Sequence, residues 1–453
     1  MEKNGGEMYM VSRFPLQRFF KQSQQAWTKL PDHRKPSPNT KYALSDAVNR
    51  AMSVFFMQSQ SFLSHHQAMS KKKHGKQNLQ KLFEVENVPS DNQIRSLLDP
   101  LSPIEFATQY EWIWKQLAQN GGLKPYQTSL GTRLIALDGM NYHSSTKISC
   151  DCCSTRRDRN GTVHYYHSTL LPLMVQPNVS HVLACYPEMI TPQDGREKQD
   201  CERNAAKRWL SKWSHLFKSH SITYLGDDLF CNQPLCEHII ANKQFFIFVC
   251  KPDSHITLYR WLDSLAVEQV TQRRWNGRHG EVWRWRWVND VPLRAGDDAL
   301  RVNWCELKIT DEDSGDVLYH NSWATNHLLS HRNVQDVCSF GRTRWKIENE
   351  GINILKTKGY HVEHNFGHGK QYLAQVFLVL NLLAFLLHTA LALTDELYRF
   401  LRHALHKRVI FFNDLRALCR YNSFPNWEAL WLFMLESLEE DDIPPALAAL
   451  ISN

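Results

Sequence analysis

The apolar positions change rhythm along the chain. Up to about residue 125 they recur at helix spacing, with one apolar stripe over 44–57 and another over 103–117. Between them, 88–98 reads as a polar helix that Ser90 or Asp91 could cap, preceded by the basic run Lys71-Lys-Lys-His-Gly-Lys76. A short helix, a turn and a capped helix give either a helix-turn-helix or a plain helical bundle with a solvated basic loop. From about 130 the pattern shifts to short apolar runs. Strands are expected at 134–137, 163–175, 179–190, 222–225 and 245–250, with a helix at 195–217 before the fourth. Over 253–335 aromatic and basic residues alternate, most clearly in Glu281-Val-Trp-Arg-Trp-Arg-Trp-Val288, with a further strand at 301–309. Period two puts Trp283, Trp285 and Trp287 on one face, and Arg284 and Arg286 on the other. Helices resume at Arg344. Residues 372–393 are apolar nearly all round and should be buried, and 415–453 ends in a helical, acidic stretch with Asp441 and Asp442.

This pattern predicts an α/β protein in five parts. They are a helical N-terminal domain (1–127), DNA-binding if the helix-turn-helix reading holds, the first part of an α/β core (128–252), a β-rich insertion (253–335), the second part of the core (336–395) and a C-terminal helical region (396–453). Three strands, a helix and further strands is the order of a ribonuclease-H-like core. Composition narrows this only slightly. With 43% hydrophobic and 22% charged residues the chain is of the folded class. A net charge of +7 permits a nucleic-acid partner without requiring one. Eleven cysteines show no small disulfide framework and fit a reducing cytosol. The N-terminus offers no apolar leader, and Asn381 and His388 inside the apolar stretch 376–393 favour a core helix over a membrane span.

Three acids carry the candidate chemistry. Asp138 follows the run Leu134–Leu137, Asp227 follows Ile222–Gly226, and Glu348 lies on the expected helix beginning at Arg344. A single acid past a strand is ordinarily a turn residue. Two sheet-rim carboxylates and one helix carboxylate can converge on hard divalent cations, which prefer oxygen. Gly139 lets a ligand approach the backbone beside Asp138. Asp228 rivals Asp227, but Phe230 can pack inward while Asp227 stays at the rim. Glu350 rivals Glu348, but Arg344 shares a helix face with Glu348 at i,i+4.

At these residues the chain resembles the DDE transposases of bacterial insertion sequences, in the group with a Tyr-Arg-Glu-Lys signature. Arg344-Trp345-Lys346-Ile347-Glu348 matches the Arg-Trp-x-Ile-Glu that precedes the family's third acid. Asp138-Gly139 looks like its first acid, and Gly226-Asp227-Asp228-Leu229-Phe230 like its second. A β-rich insertion between the second and third acids is also shared, and the resemblance spans about 130–395. Two positions depart from it: the signature Tyr would fall near Gly341, and the signature Lys at Leu355, beside Lys356. The resemblance implies a ribonuclease-H-like core whose triad Asp138, Asp227 and Glu348 holds two Mg²⁺ (or Mn²⁺). It implies DNA cleavage at the ends of a mobile element, followed by strand transfer. Double-stranded DNA would be the partner, as element ends and target, with no membrane. A homodimer in the synaptic complex and a bacterial cytoplasmic, nucleoid-associated location are implied as well. Arg344 and Lys356 would contact phosphates. A catalytically inactive DNA-binding derivative and a metal-dependent nuclease without strand transfer are the alternatives.

Three further groups stand out. Cys150-x-x-Cys153 is a zinc-knuckle half-site that His164 or His167 could complete, with Cys201 further off; a turn with reduced thiols is the other reading. Arg284 and Arg286 are expected to meet DNA phosphate while part of the Trp row forms core. His361-Val-Glu-His-Asn-Phe-Gly-His-Gly369 reads as a polar loop joining two helices rather than a metal site.

Overall fold

A computed structural model describes residues 11–35, 37–38, 40–192, 200–439 and 443–451. The chain is mixed α/β and gathers into two compact units. One comprises the described residues of 1–123, 142–167 and 353–453, the other those of 124–141 and 168–352. These units cut across the five sequence-based parts. The insertion shares a unit with most of the strands before it, and the N- and C-terminal helices share the other.

The sheet is built from eleven strands: β1 (Arg133–Ser145), β2 (Ser154–Arg157), β3 (Val163–Val175), β4 (Leu183–Ala184), β5 (Glu188–Ile190), β6 (Ile222–Gly226), β7 (Phe245–Val249), β8 (Glu268–Trp275), β9 (Gly280–Pro292), β10 (Arg301–Asp311) and β11 (Val317–Thr325). The strand order is β2-β3-β1-β6-β7-β11-β10-β9-β8, with β4 and β5 paired to β3. β1 and β3 run on from one unit into the other, after Asn141 and His167.

β1, β6 and β7 are parallel neighbours, with Leu134 opposite Thr223 and Thr223 opposite Phe245. Their apolar runs are continuous because both faces are covered: Leu134–Leu137 and all of β6 are buried. Parallel pairing demands crossovers, and helices supply them. The helix Glu202–Trp213 precedes β6 and buries Ala205, Ala206, Trp209 and Leu210 along one stripe. The helix Gln233–Ala241 joins β6 to β7, and its first turn is capped by the Asn232 side chain accepting from the Leu235 amide. Of the expected helix 195–217, positions 195–199 lie outside the described residues; the regular turns end at Trp213, followed by a short 3₁₀ turn.

The expected strand 179–190 is in fact two short pieces, β4 and β5. Pro187, which has no N–H to give a ladder, lies between them. In the insertion β8 to β11 form an antiparallel ladder that joins the sheet through β11, where Trp323 lies opposite Val249. The Trp/Arg alternation of β9 is expressed as read: Trp285 and Trp287 are buried, Trp283 is half-buried and Arg284 is exposed. Gly341 sits where a Cβ would fall 2.5 Å from the Trp323 indole nitrogen, so the position near which the signature Tyr was sought has no room for a side chain.

In the helical unit, Leu373–Thr394 is long and apolar enough to cross a membrane, yet 89% of its most apolar window is buried inside the protein. Some of its polar atoms find partners there, while Asn381 Oδ1 and His388 Nε2 have none. Asn381 donates to the Tyr360 carbonyl at 2.8 Å, and His388 Nδ1 meets the Tyr360 hydroxyl at 2.9 Å. The helix Leu44–Phe56 is buried along its whole length. Ser90 caps Asp91–Leu98 through a capping box with Gln93. The basic run does not form a loop: its last residues open the helix Lys73–Phe83. The C-terminal region holds the helices Arg408–Tyr421, Trp427–Glu436 and Pro445–Ala448; Asp441 and Asp442 lie outside the described residues.

Candidate active site and metal centre

Asp138 does not end its strand. β1 continues to Ser145 because the sequence goes on alternating, with Met140 buried and Asn141 exposed. Asp138 marks instead the point where the buried run gives way to a half-exposed stretch. Its Oδ1 accepts from the Gly139 amide at 2.8 Å, and Arg344 Nη1 donates to its Oδ2 at 3.4 Å. The other guanidinium nitrogen of Arg344 reaches Glu348 Oε1 at 2.7 Å. One arginine therefore bridges the first and third acids. Glu348 does not lie on a regular α-helix but on a π-helical turn, Ile347–Ile352. Such turns are rare and concentrate at functional sites. Ile347 is buried, and Lys346 is held by the Val179 carbonyl at 2.7 Å, while Trp345 and the Glu348 carboxylate face outward.

Asp227 and Asp228 have different surroundings. Asp228 turns to the chain after β7, accepting from the Lys251 amide at 2.7 Å and from the Ser254 hydroxyl. Asp227 accepts from the Leu229 amide at 2.9 Å, and its charge is felt by both Asp138 and Glu202. Glu350 acts on Lys346.

Glu202 is the residue that sequence reading missed. It opens the helix Glu202–Trp213, and its carboxylate lies over Gly139, where an added Cβ would fall 2.0 Å from Oε1. Glycine at 139 is thus what admits a fourth carboxylate beside Asp138. Burial pushes Asp138 up to about 6, Arg344 and the Gly139 amide pull against this, and the charges of Asp227 and Glu348 add to the rise. Burial likewise pushes Glu202 up to about 7, with Asp138 and Asp227 adding repulsion. Four carboxylates with one shared guanidinium can release their mutual repulsion by taking a divalent cation or by holding a proton. Among the described residues, ligand atoms all within 4.8 Å of one another occur in two Cys/His clusters and not in this acidic group.

The first Cys/His cluster is Cys150, Cys153, His167 and His368, all in the helical unit. The sulphurs are 3.8 Å apart. His167 Nε2 is 3.5 Å from each sulphur, Cys153 Sγ is 3.4 Å from His368 Nε2, and the two Nε2 atoms are 3.1 Å apart. With zinc–sulphur bonds of about 2.3 Å and zinc–nitrogen bonds of about 2.0–2.1 Å, a tetrahedron has edges of about 3.8, about 3.6 and about 3.3 Å respectively. The five distances follow those edges closely, so the cluster fits a structural zinc. His368 Nδ1 is oriented by the Gly369 carbonyl at 3.1 Å, the outer support that ligating histidines ordinarily have. The fourth ligand thus comes from the segment 361–369, expected to be only a polar loop. His164 is not part of the cluster but pairs with Asp158 at 3.2 Å, and Cys201 belongs to the other unit.

The basic residues expected at DNA differ in freedom. Arg284 is exposed. Arg286 is tied to Glu306, whose second oxygen meets His320. Lys356 pairs with Glu363 at 2.7 Å, and Arg344 is engaged by the acids themselves. Arg274 lies over Trp283 at 4.4 Å and Trp285 at 5.1 Å. Compared with known proteins, the chain matches no family model and no curated protein.

Proposed function

We propose that this chain is a DDE-type DNA transposase that cleaves double-stranded DNA at the ends of a mobile element and transfers the cut strand to a target. The observation that carries the reading is the gathering of Asp138, Asp227 and Glu202, with Glu348 joined to Asp138 through Arg344, in one unit. The ribonuclease-H-like part of the reading is supported by the parallel set β1, β6 and β7 with helical crossovers. The +7 net charge and the exposed Arg284 are compatible with DNA.

All the donors are carboxylate oxygens, the set that suits Mg²⁺ or Mn²⁺, and Asp138, Asp227 and Glu348 would hold the ions. When bound, two such ions supply Lewis-acid activation of the attacking oxygen and stabilisation of the leaving one. The chain's own residues do the rest. Arg344 holds Asp138 and Glu348 in one arrangement and offers a cation to phosphate. Glu202, raised to about 7, can keep a proton near neutrality. Cys150, Cys153, His167 and His368 would hold a zinc ion as a fixed strut with no part in cleavage.

The test is a plasmid carrying the reading frame with its flanking DNA, incubated with purified chain and Mg²⁺. Nicks confined to the two boundaries, lost on chelation and in Asp138→Asn, are expected. Binding to that DNA without any Mg²⁺-dependent nick would favour the non-catalytic DNA-binding alternative.

A further inference from the structure

We propose that Cys231, Cys250 and His255 form a second zinc-class site, in the sheet-bearing unit and separate from the first, with Asp228 beside the histidine. Cys231 follows β6 and Cys250 follows β7; these strands are parallel neighbours, so both thiols emerge at the same end of the sheet. His255 stands immediately before the helix Ile256–Ser264. The spacing is Asp228-x-x-Cys231 and Cys250-x₄-His255, two short pairs on adjacent strand ends. Both thiols and the imidazole are buried, and their ligand atoms all lie within 4.8 Å of one another.

The histidine points to a ligand. His255 is 8% exposed, and its Nε2 has no hydrogen-bond partner. The Leu293 backbone also acts on the ring. Folded proteins rarely leave a buried nitrogen unsatisfied. Asp228 Oδ1 lies 3.5 Å from that Nε2, and the carboxylate is already oriented by the Lys251 amide and the Ser254 hydroxyl. Two thiols and an imidazole are a soft-to-borderline donor set that favours zinc over Mg²⁺. Binding would release the thiol protons to solvent and tie the ends of β6 and β7 together, one residue from Asp227. The site does not depend on the proposed reaction, and its test does not use DNA.

The experiment measures zinc per chain in full-length protein purified under reducing conditions. His255→Ala is expected to lower the content by one zinc per chain, and His255→Cys, which keeps a ligand, to restore it. An unchanged content in His255→Ala overturns the proposal. A second readout covers a variant that fails to fold. In Cys150→Ser/Cys153→Ser protein loaded with Co²⁺, a thiolate-to-cobalt absorption band should persist and should disappear when Cys231→Ser and Cys250→Ser are added. Absence of the band in Cys150→Ser/Cys153→Ser protein, or a Cys231–Cys250 disulfide in the reduced preparation, overturns it equally.

Discussion

The acidic group and the Cys/His tetrahedron are both candidate metal sites, yet they are built in opposite ways. The tetrahedron is closed: Cys153, His167 and His368 are buried, and all four ligand atoms stand at coordination spacing. The acidic group is open. Glu348 has 53% of its side chain exposed, and an arginine rather than a shared centre links it to Asp138. A structural ion is best served by four ligands fixed in advance, whereas a catalytic site must leave positions for substrate and tolerate changes of partner. The difference teaches that preformed spacing identifies a strut, while crowding of like charge identifies a place where chemistry can change a charge state.

The comparison breaks most sharply at the acids. Asp138→Asn, Asp227→Asn and Glu348→Gln should each lower Mg²⁺-dependent cleavage by about a thousandfold or more while leaving the fold and DNA binding intact. Glu350→Gln should cleave normally. Cleavage rates and melting curves check this; a dead Glu350→Gln beside an active Glu348→Gln would reverse the assignment. At the tetrahedron the pattern should invert. Cys153→Ser should lose one zinc and destabilise its unit by several kcal/mol, because metal-binding energy is folding energy there. Metal content and thermal unfolding read it, and a Cys153→Ser protein with unchanged zinc and melting would remove the strut.

Acidity sharpens the contrast further. Asp138 and Glu202 are both raised, to about 6 and about 7, from ordinary values of 3.8 and 4.5. Between about pH 4 and 7 the folded chain therefore keeps protons that the unfolded chain has released. The stability this contributes is complete at the acid end and lost as pH rises through the folded values. In protein kept free of Mg²⁺ the stability should fall from pH 5 to pH 8 by on the order of 1 kcal/mol, read as a lower melting temperature, since both groups are partly screened by water. Glu202→Gln should flatten the fall, and Mg²⁺ should reduce it. A melting temperature that climbs over that range in the wild type and not in Glu202→Gln would show the repulsion to be misread.

Much of this was legible in the sequence, for reasons that can be named. The runs that became β1, β6 and β7 are short, apolar and sharply bounded, and the Trp/Arg alternation of β9 has only one strand solution. Cys150-x-x-Cys153 carries its own spacing. The rest depends on contacts that spacing cannot encode. His368 meets Cys153 from 215 positions away. Glu202 sits in a polar segment that reads as a solvated helix face, and only its position over Gly139 makes it part of the site. Cys231 and Cys250 lie on different strands and become neighbours through the parallel pairing of β6 and β7. The π-helical turn at Glu348 leaves no mark in an apolar pattern.

The smallest effect concerns the basic face. Arg284 is exposed and Arg286 is held by Glu306, so neutralising both should weaken DNA binding mainly through Arg284. The double variant should reduce the salt slope by about one to two phosphate contacts without altering base preference. Affinity across a salt series decides it, and an unchanged slope would remove β9 from the DNA.

The central claim is that the acidic group performs strand transfer as well as cleavage. It is tested most directly by incubating labelled flanking-end DNA with a target plasmid, Mg²⁺ and either wild-type or Asp227→Asn protein. Covalently joined plasmid products with wild type, and none with Asp227→Asn, are predicted. Joined products formed equally by Asp227→Asn, or end cleavage by wild type that never yields a joined product, would contradict the account.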